Sequence, residues 1–177
     1  TRFRPNLVSG QRVMELSEKW HIDTNYPVIL MPGRITRWKG QHVLLEALGR
    51  LPHRKFNCIL LGEDSKHPNY NKELENLIQS LDLVSHVRMV KPTSYMVDAY
   101  SLADIVICPS IEPEAFGRIP VESQAIGKPI IATNHGGACE TIIHEQTGWL
   151  VPPNDAENLS YTIEALLNLP EEHKQDF

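Results

Sequence analysis

The chain has 177 residues, with 17 Lys and Arg against 22 Asp and Glu for a net charge of −5. That length allows one domain and falls short of two full ones, and the balance of charge offers no basic excess for nucleic acid or an anionic membrane. An apolar share of 41% supports a core, and no apolar run approaches the ~20 residues of a membrane span. The three cysteines, Cys58, Cys108 and Cys139, are an odd number without a CxxC. They fit a reducing cytoplasm and exclude a disulfide scaffold or a zinc ribbon. No signal peptide is expected from Thr1-Arg2-Phe3-Arg4-Pro5, whose charge is not followed by an apolar stretch.

Residues 1–25 read as a lead-in segment with one amphipathic helix, its apolar side made by Val13, Leu16 and Trp20. Residues 28–31 are a short apolar run closed by Pro32-Gly33, and 41–50 come next with apolar residues at helical spacing. A buried run at 56–61 ends at Gly62. The spacing of Leu74, Leu77, Ile78 and Leu81 predicts a helix over 69–83. Strands are then expected at 87–90, 105–108, 129–133 and 149–151, with helices at 95–103, 138–144 and 155–169. The charged residues 170–177 read as a helical tail with little to pack on. Short apolar strands alternating with helices imply a parallel sheet covered on both faces. The expected fold is a doubly wound, Rossmann-like α/β domain over 26–169, with about six strands. Its ligands should bind beyond the carboxyl ends of the strands.

Three such ends carry suggestive chemistry. After the first strand, Gly33 to Gly40 places Arg34, Arg37 and Lys39 in a loop leading into a helix N-terminus. This suits a diphosphate, with Arg34 as a fork donor and Lys39 as a point charge. The plain alternative is a solvated surface loop, and neither GxGxxG nor a P-loop is present. After the fourth strand, Pro120 suits a first helical turn, so the amides of Gly117 to Ile119 can face an anion. Glu114 and Glu122 flank those amides and can accept hydrogen bonds from sugar or ribose hydroxyls. Alternatively, Glu122 merely complements the helix dipole. After the fifth strand, Gly136-Gly137 marks a tight turn or close backbone approach to a ligand. His135 reads as a polar loop residue, and Cys139 receives no role. No His, Cys or acidic spacing fits a metal, and there is no Asp-x-Asp pair.

Together these loops resemble the carboxyl-terminal half of the family 4 retaining glycosyltransferases, which have the GT-B fold. The resemblance spans roughly residues 27–167 and rests on several motifs in order. They are Gly33-Arg34 to Lys39-Gly40, Ala103-Asp104, Pro109-Ser110, Glu114 and Glu122 enclosing Phe116-Gly117, Gly127-Lys128-Pro129, Gly136 to Glu140, and Thr147 to Pro153. The resemblance implies one half of a GT-B fold holding a nucleotide-diphosphate-sugar site. Arg34 and Lys39 match the family's diphosphate-binding pair, Glu114 the acid on the donor sugar, and Glu122 the acid on the ribose. Gly33 and the amides of Phe116, Gly117, Arg118 and Ile119 match the donor-lining backbone, and the segment around Val90 (88–91) flanks the base. One motif departs from the family: Gly62-Glu63-Asp64-Ser65 stands where many members have Gly-x-Gly-Pro.

The activity implied by the resemblance is that of a hexosyltransferase, which moves a sugar from a nucleotide sugar to an acceptor hydroxyl with retained configuration, without cofactor or metal. The acceptor, a glycan or a lipid, would be bound by an amino-terminal domain absent from this chain, and the chain alone would be inactive. The parent protein would be cytoplasmic or peripheral to the inner face of a membrane. Two rivals stand beside this reading. One is a nucleotide-sugar epimerase or phosphorylase on the same fold, and the other is a non-catalytic nucleotide-sugar-binding module.

Overall fold

The computed structural model describes residues 3–63 and 68–169. The expected tail at 170–177 lies outside the described residues, as do Asp64 and Ser65 of the departing motif. Helix α1 (Gly10–Lys19) precedes strand β1 (Val28–Pro32). Next come α2 (Gln41–Arg50), β2 (Asn57–Leu61), α3 (Pro68–Ser80), β3 (Val87–Val90), α4 (Met96–Leu102) and β4 (Ile105–Cys108). The chain continues through α5 (Arg118–Ile126), β5 (Ile130–Thr133), α6 (Ala138–Thr141), β6 (Trp149–Val151) and α7 (Ala156–Leu167). The strands form one six-stranded parallel sheet in the order β3-β2-β1-β4-β5-β6. This is the doubly wound arrangement expected from the sequence, and its order reverses between β1 and β4, where such sheets open a crevice.

Alternation along the strands divides the core. Ile29, Met31, Cys58, Leu60, Ile105 and Ile107 face α2, α3 and α7. Leu30, Ile59, Leu61, Val106 and Cys108 face α1, α4, α5 and α6. Every residue of β1, β2, β4 and β5 is buried, which is why these strands are nearly continuously apolar rather than alternating, with Asn57 and Thr133 the polar residues at their ends. Each fully buried Leu or Ile contributes about 1.5–3 kcal/mol relative to exposure. Among the described residues no helix is long and apolar enough to cross a membrane.

Two helices stop earlier than their apolar spacing predicts. α3 ends because Asp82 takes a left-handed conformation (φ 55°) and the Leu83 amide bonds back to the Ile78 carbonyl. That closing bond is of the Schellman type, and it turns Leu83 into the core as a loop residue. α6 is a single turn, not a helix to residue 144. The Gln124 amide group donates to the carbonyls of Thr141 and Thr147 at 3.0 Å each, and the Thr147 hydroxyl accepts from the Ile143 amide. These side chains satisfy the groups that a further turn would have used.

Candidate functional site

Beyond the carboxyl ends of β1 and β4 lies an open cleft of about 1250 Å³, lined among others by Gly33, Arg34, Lys39, Glu114, Phe116 and Glu122. It is somewhat above the roughly 300–1,000 Å³ of ordinary small-molecule pockets. Two loops, 33–40 and 109–117, make its floor. They touch directly. Gly40 has φ 78°, and a Cβ there would collide with the Pro109 carbonyl. The Ile111 amide also donates to the Trp38 carbonyl at 2.8 Å. The glycine is therefore required by both conformation and space.

That contact brings Lys39 and Glu114 together across 75 positions of sequence. Lys39 Nζ donates to Glu114 Oε1 at 2.7 Å, and the two side chains are only 10% and 17% exposed. The ammonium also lies 4.5 Å from the centre of the Trp38 ring, a favourable cation–π distance. Ser110 Oγ donates to the same oxygen at 2.5 Å and Cys108 Sγ at 3.3 Å. Burial pushes the Glu114 carboxyl up. Hydrogen bonds from Lys39 and Ser110, the lysine charge and the Cys108 thiol outweigh it and hold the carboxyl below its ordinary value. Glu114 is thus an ionised acceptor at neutral pH, with Oε2 unpartnered among the described residues. The Cys108 thiol is driven the other way, to about 12, first by burial and then by the Glu114 charge, so it stays a neutral donor.

Arg34 is exposed on the cleft wall. Its carbonyl is fixed by the Gln41 side chain at 2.8 Å, and its guanidinium has no side-chain partner among the described residues. The N-terminus of α5 points into the same space. Gly117 is its cap at φ 65°, and the first amides of a helix lack intrahelical partners and favour anions. Phe116 and Arg118 are exposed here, and Ile119 lies alongside with its Cδ1 near Gly33. Glu122, one turn further, accepts a hydrogen bond from the Tyr100 hydroxyl at 2.8 Å. So the structure brings Gly33, Arg34, Lys39, Glu114, Phe116, Gly117, Arg118, Ile119 and Glu122 to one cleft. Val90 is not among its lining residues. It ends the edge strand β3, its carbonyl is taken by the Gly62 amide at 2.9 Å, and its side chain packs on the second core.

The glycine pair does approach a backbone, but it is the protein's own. A Cβ on Gly136 would lie 2.6 Å from the Glu114 carbonyl oxygen, and one on Gly137 would lie 2.5 Å from the Phe116 carbonyl carbon. The Gly137 amide donates to the Glu114 carbonyl at 2.8 Å. This turn therefore props the loop that carries Glu114. His135 belongs to the same support: its Nε2 and the Thr133 hydroxyl both donate to the Ser110 carbonyl at 2.8 Å. Ser110, Thr133, His135 and Tyr100 were not among the residues expected at the site. Only Ser110 carried a sequence signal, through Pro109-Ser110. Among the described residues no group of three or more His, Cys, Asp or Glu is placed to hold a metal ion.

Comparison with known proteins converges on one family. The family model described as "Glycosyl transferases group 1" matches residues 13–177. A D-inositol 3-phosphate glycosyltransferase of Pseudarthrobacter chlorophenolicus is 33% identical over 148 residues, covering 80% of this chain and 34% of that protein. A glycosyltransferase from Rickettsia africae superposes with a TM-score of 0.94 at 41% identity, over 97% of this chain and 46% of its own. HepE from Anabaena, crystallised with UDP and glucose, gives a TM-score of 0.88 at 29% identity, over 98% of this chain and 47% of its own. The chain spans about a third of the curated relative and just under half of the two solved chains.

Proposed function

This chain belongs to the glycosyl transferases group 1 family and has the Rossmann-like architecture of a GT-B domain, and on that premise we propose that it is the donor-binding part of a retaining glycosyltransferase. The reaction moves a hexosyl group from a nucleotide-diphosphate sugar to an acceptor hydroxyl. The observation that carries this reading is the meeting of Lys39 and Glu114 on the cleft floor, beside the guanidinium of Arg34 and the start of α5. A cation and an anion are both needed there. Cleaving the anomeric C–O bond leaves negative charge on the departing diphosphate and positive charge on the sugar ring.

Lys39, Arg34 and the α5 amides stabilise the diphosphate, and a preorganised donor of this kind is worth about 3 kcal/mol in comparable sites. Glu114 is held ionised, so its Oε2 accepts from hydroxyls of the donor sugar. Glu122 accepts from the ribose. The leaving phosphate takes the acceptor's proton, so no protein nucleophile and no metal enter the scheme. On its own the 177-residue chain binds donor without transferring it, because half a cleft neither excludes water nor orients an acceptor.

Titration calorimetry with UDP, GDP, ADP and their sugar conjugates tests the reading. UDP comes first, since the Anabaena neighbour was crystallised with UDP and glucose. Selective binding of one diphosphate, weakened about tenfold or more in Arg34→Ala, is the expected result. Arg34 is exposed, so that variant keeps its fold. Equal affinity in wild type and variant would remove the diphosphate from this cleft.

A further inference from the structure

Glu114 and Glu122 each have one oxygen held by the protein and one left over among the described residues. For Glu122 the holder is Tyr100, whose hydroxyl donates to Oε2 at 2.8 Å, while Oε1 has no partner among the described residues. Tyr100 is fully buried at 0% exposure. Its ring meets the edge of Phe3 at 5.6 Å and 89°. The helix that carries it is pinned two residues earlier, where Asp98 accepts from the Ser9 amide at 2.7 Å and from Arg12 Nε at 2.8 Å. A phenol buried in this way must place its hydroxyl on a partner. The hydroxyl donates its one proton to Oε2, which accepts it. The last torsion of a glutamate is otherwise broad and two-fold, and here a rigid donor fixes it.

We propose that Tyr100 is a positioning residue whose hydroxyl fixes Glu122 so that Oε1 faces a ribose hydroxyl, and that this bond sets the selectivity of the site for ribonucleotides over deoxyribonucleotides. The proposal rests on the reading of Glu122 as the ribose-binding acid. A site built to bond a hydroxyl rejects the analogue without it because its own polar group is then stranded. Stranding requires that the acceptor be held in place. A glutamate freed from Tyr100 turns to water when the hydroxyl is missing, and the discrimination falls.

The experiment measures binding of UDP, GDP and ADP, and of their 2′-deoxy and 3′-deoxy counterparts, to the chain and to Tyr100→Phe and Phe3→Leu. The wild type is expected to favour the ribonucleotide over at least one deoxy form by about tenfold or more. Tyr100→Phe keeps the ring and removes the hydroxyl. It should weaken the ribonucleotide roughly five- to tenfold and leave the deoxy form nearly unchanged, so the preference collapses. Phe3→Leu loosens the ring without touching the hydroxyl, and it should lower the melting temperature while the preference stays. Replacing Tyr100 by 3-fluorotyrosine, a stronger donor of the same shape, should raise the preference, and this arm decides the matter if Tyr100→Phe does not fold. A wild type that binds none of these nucleotides, or binds ribo and deoxy forms alike, overturns the ribose reading of Glu122 and the proposal with it. A wild-type preference that survives in Tyr100→Phe overturns the role of Tyr100 alone. An equal loss in Phe3→Leu assigns the effect to packing and overturns it as well.

Discussion

At Glu114 three donors converge on a single oxygen, and the balance of terms there decides the chemistry. Burial favours the neutral acid, while Lys39, Ser110 and Cys108 favour the anion and win. A paired buried charge is weak evidence for stability, yet removing one partner of such a pair typically costs about 3–5 kcal/mol. What the pair contributes is the charge it presents to the cleft. Because the folded carboxyl titrates below its ordinary value of about 4.3, its stabilisation is complete above that value and is lost as the pH falls through the folded value. Ser110→Ala removes the 2.5 Å donor and lets the carboxyl rise toward its ordinary value. At neutral pH the variant should be less stable by about 1.5–3 kcal/mol, the usual range for a hydrogen bond to a charged group. Urea titrations repeated down to about pH 3 should show the gap between wild type and variant closing as Glu114 takes up its proton. A gap of constant size across that range would mean that Ser110 acts by packing and not through the charge.

Among the elements, the turn from β5 into α6 and the two ends of α5 separate conformational demand from spatial demand. Gly127, the C-cap of α5, has φ 73°, and among the described residues nothing lies within 4 Å of where a Cβ would stand. Gly137 has an ordinary φ of −63° but no room, since its Cβ would meet the Phe116 carbonyl carbon at 2.5 Å. Gly127→Ala should cost about 1–2 kcal/mol of stability through the left-handed backbone and leave donor binding intact. Gly137→Ala carries no such conformational cost. It must push away the 114–117 loop, and displacement of a site by about 1 Å can lower a rate on the order of a hundredfold. Thermal melts together with transfer assays on the full-length protein check the pair. If Gly137→Ala retained full activity, the glycine turn would not be what seats Glu114. The sequence marked Gly136-Gly137 as a place of close approach. It could not say that the approaching partner is the loop bearing Glu114, because that partner lies more than twenty positions away.

For the whole molecule, the sheet was legible because strands buried on both faces are apolar along nearly their whole length. Val28–Pro32 and Asn57–Leu61 stand out from the polar loops without any knowledge of their neighbours. The residues around the cleft were legible wherever a glycine, proline or charge cluster marks a strand end, as in Gly33 to Gly40. What was not legible is the pairing that such loops make at a distance. Lys39 meets Glu114, Tyr100 meets Glu122, and Arg12 meets Asp98, and no local pattern announces any of these. The last pair also shows how the molecule is assembled. α1 lies outside the sheet, and its bonds from Ser9 and Arg12 to the buried Asp98 tie it to α4; Leu16 and Trp20 complete the second core. Asp98→Ala removes the acceptor of the Ser9 amide and of the partly exposed Arg12 guanidinium, and should cost about 1.5–3 kcal/mol, the usual range for hydrogen bonds to a charged group. Local openings run from near zero up to the global stability, and a helix docked on one face through one polar clamp belongs near the lower end. In the variant, hydrogen exchange should find the amides of Gly10–Lys19 nearly unprotected, while those of β1, β2 and β4 remain strongly protected. Protection of α1 equal to that of the central strands would place it in the same cooperative unit as the sheet, and Asp98 would then be one core contact among many rather than the clamp that holds the cleft wall.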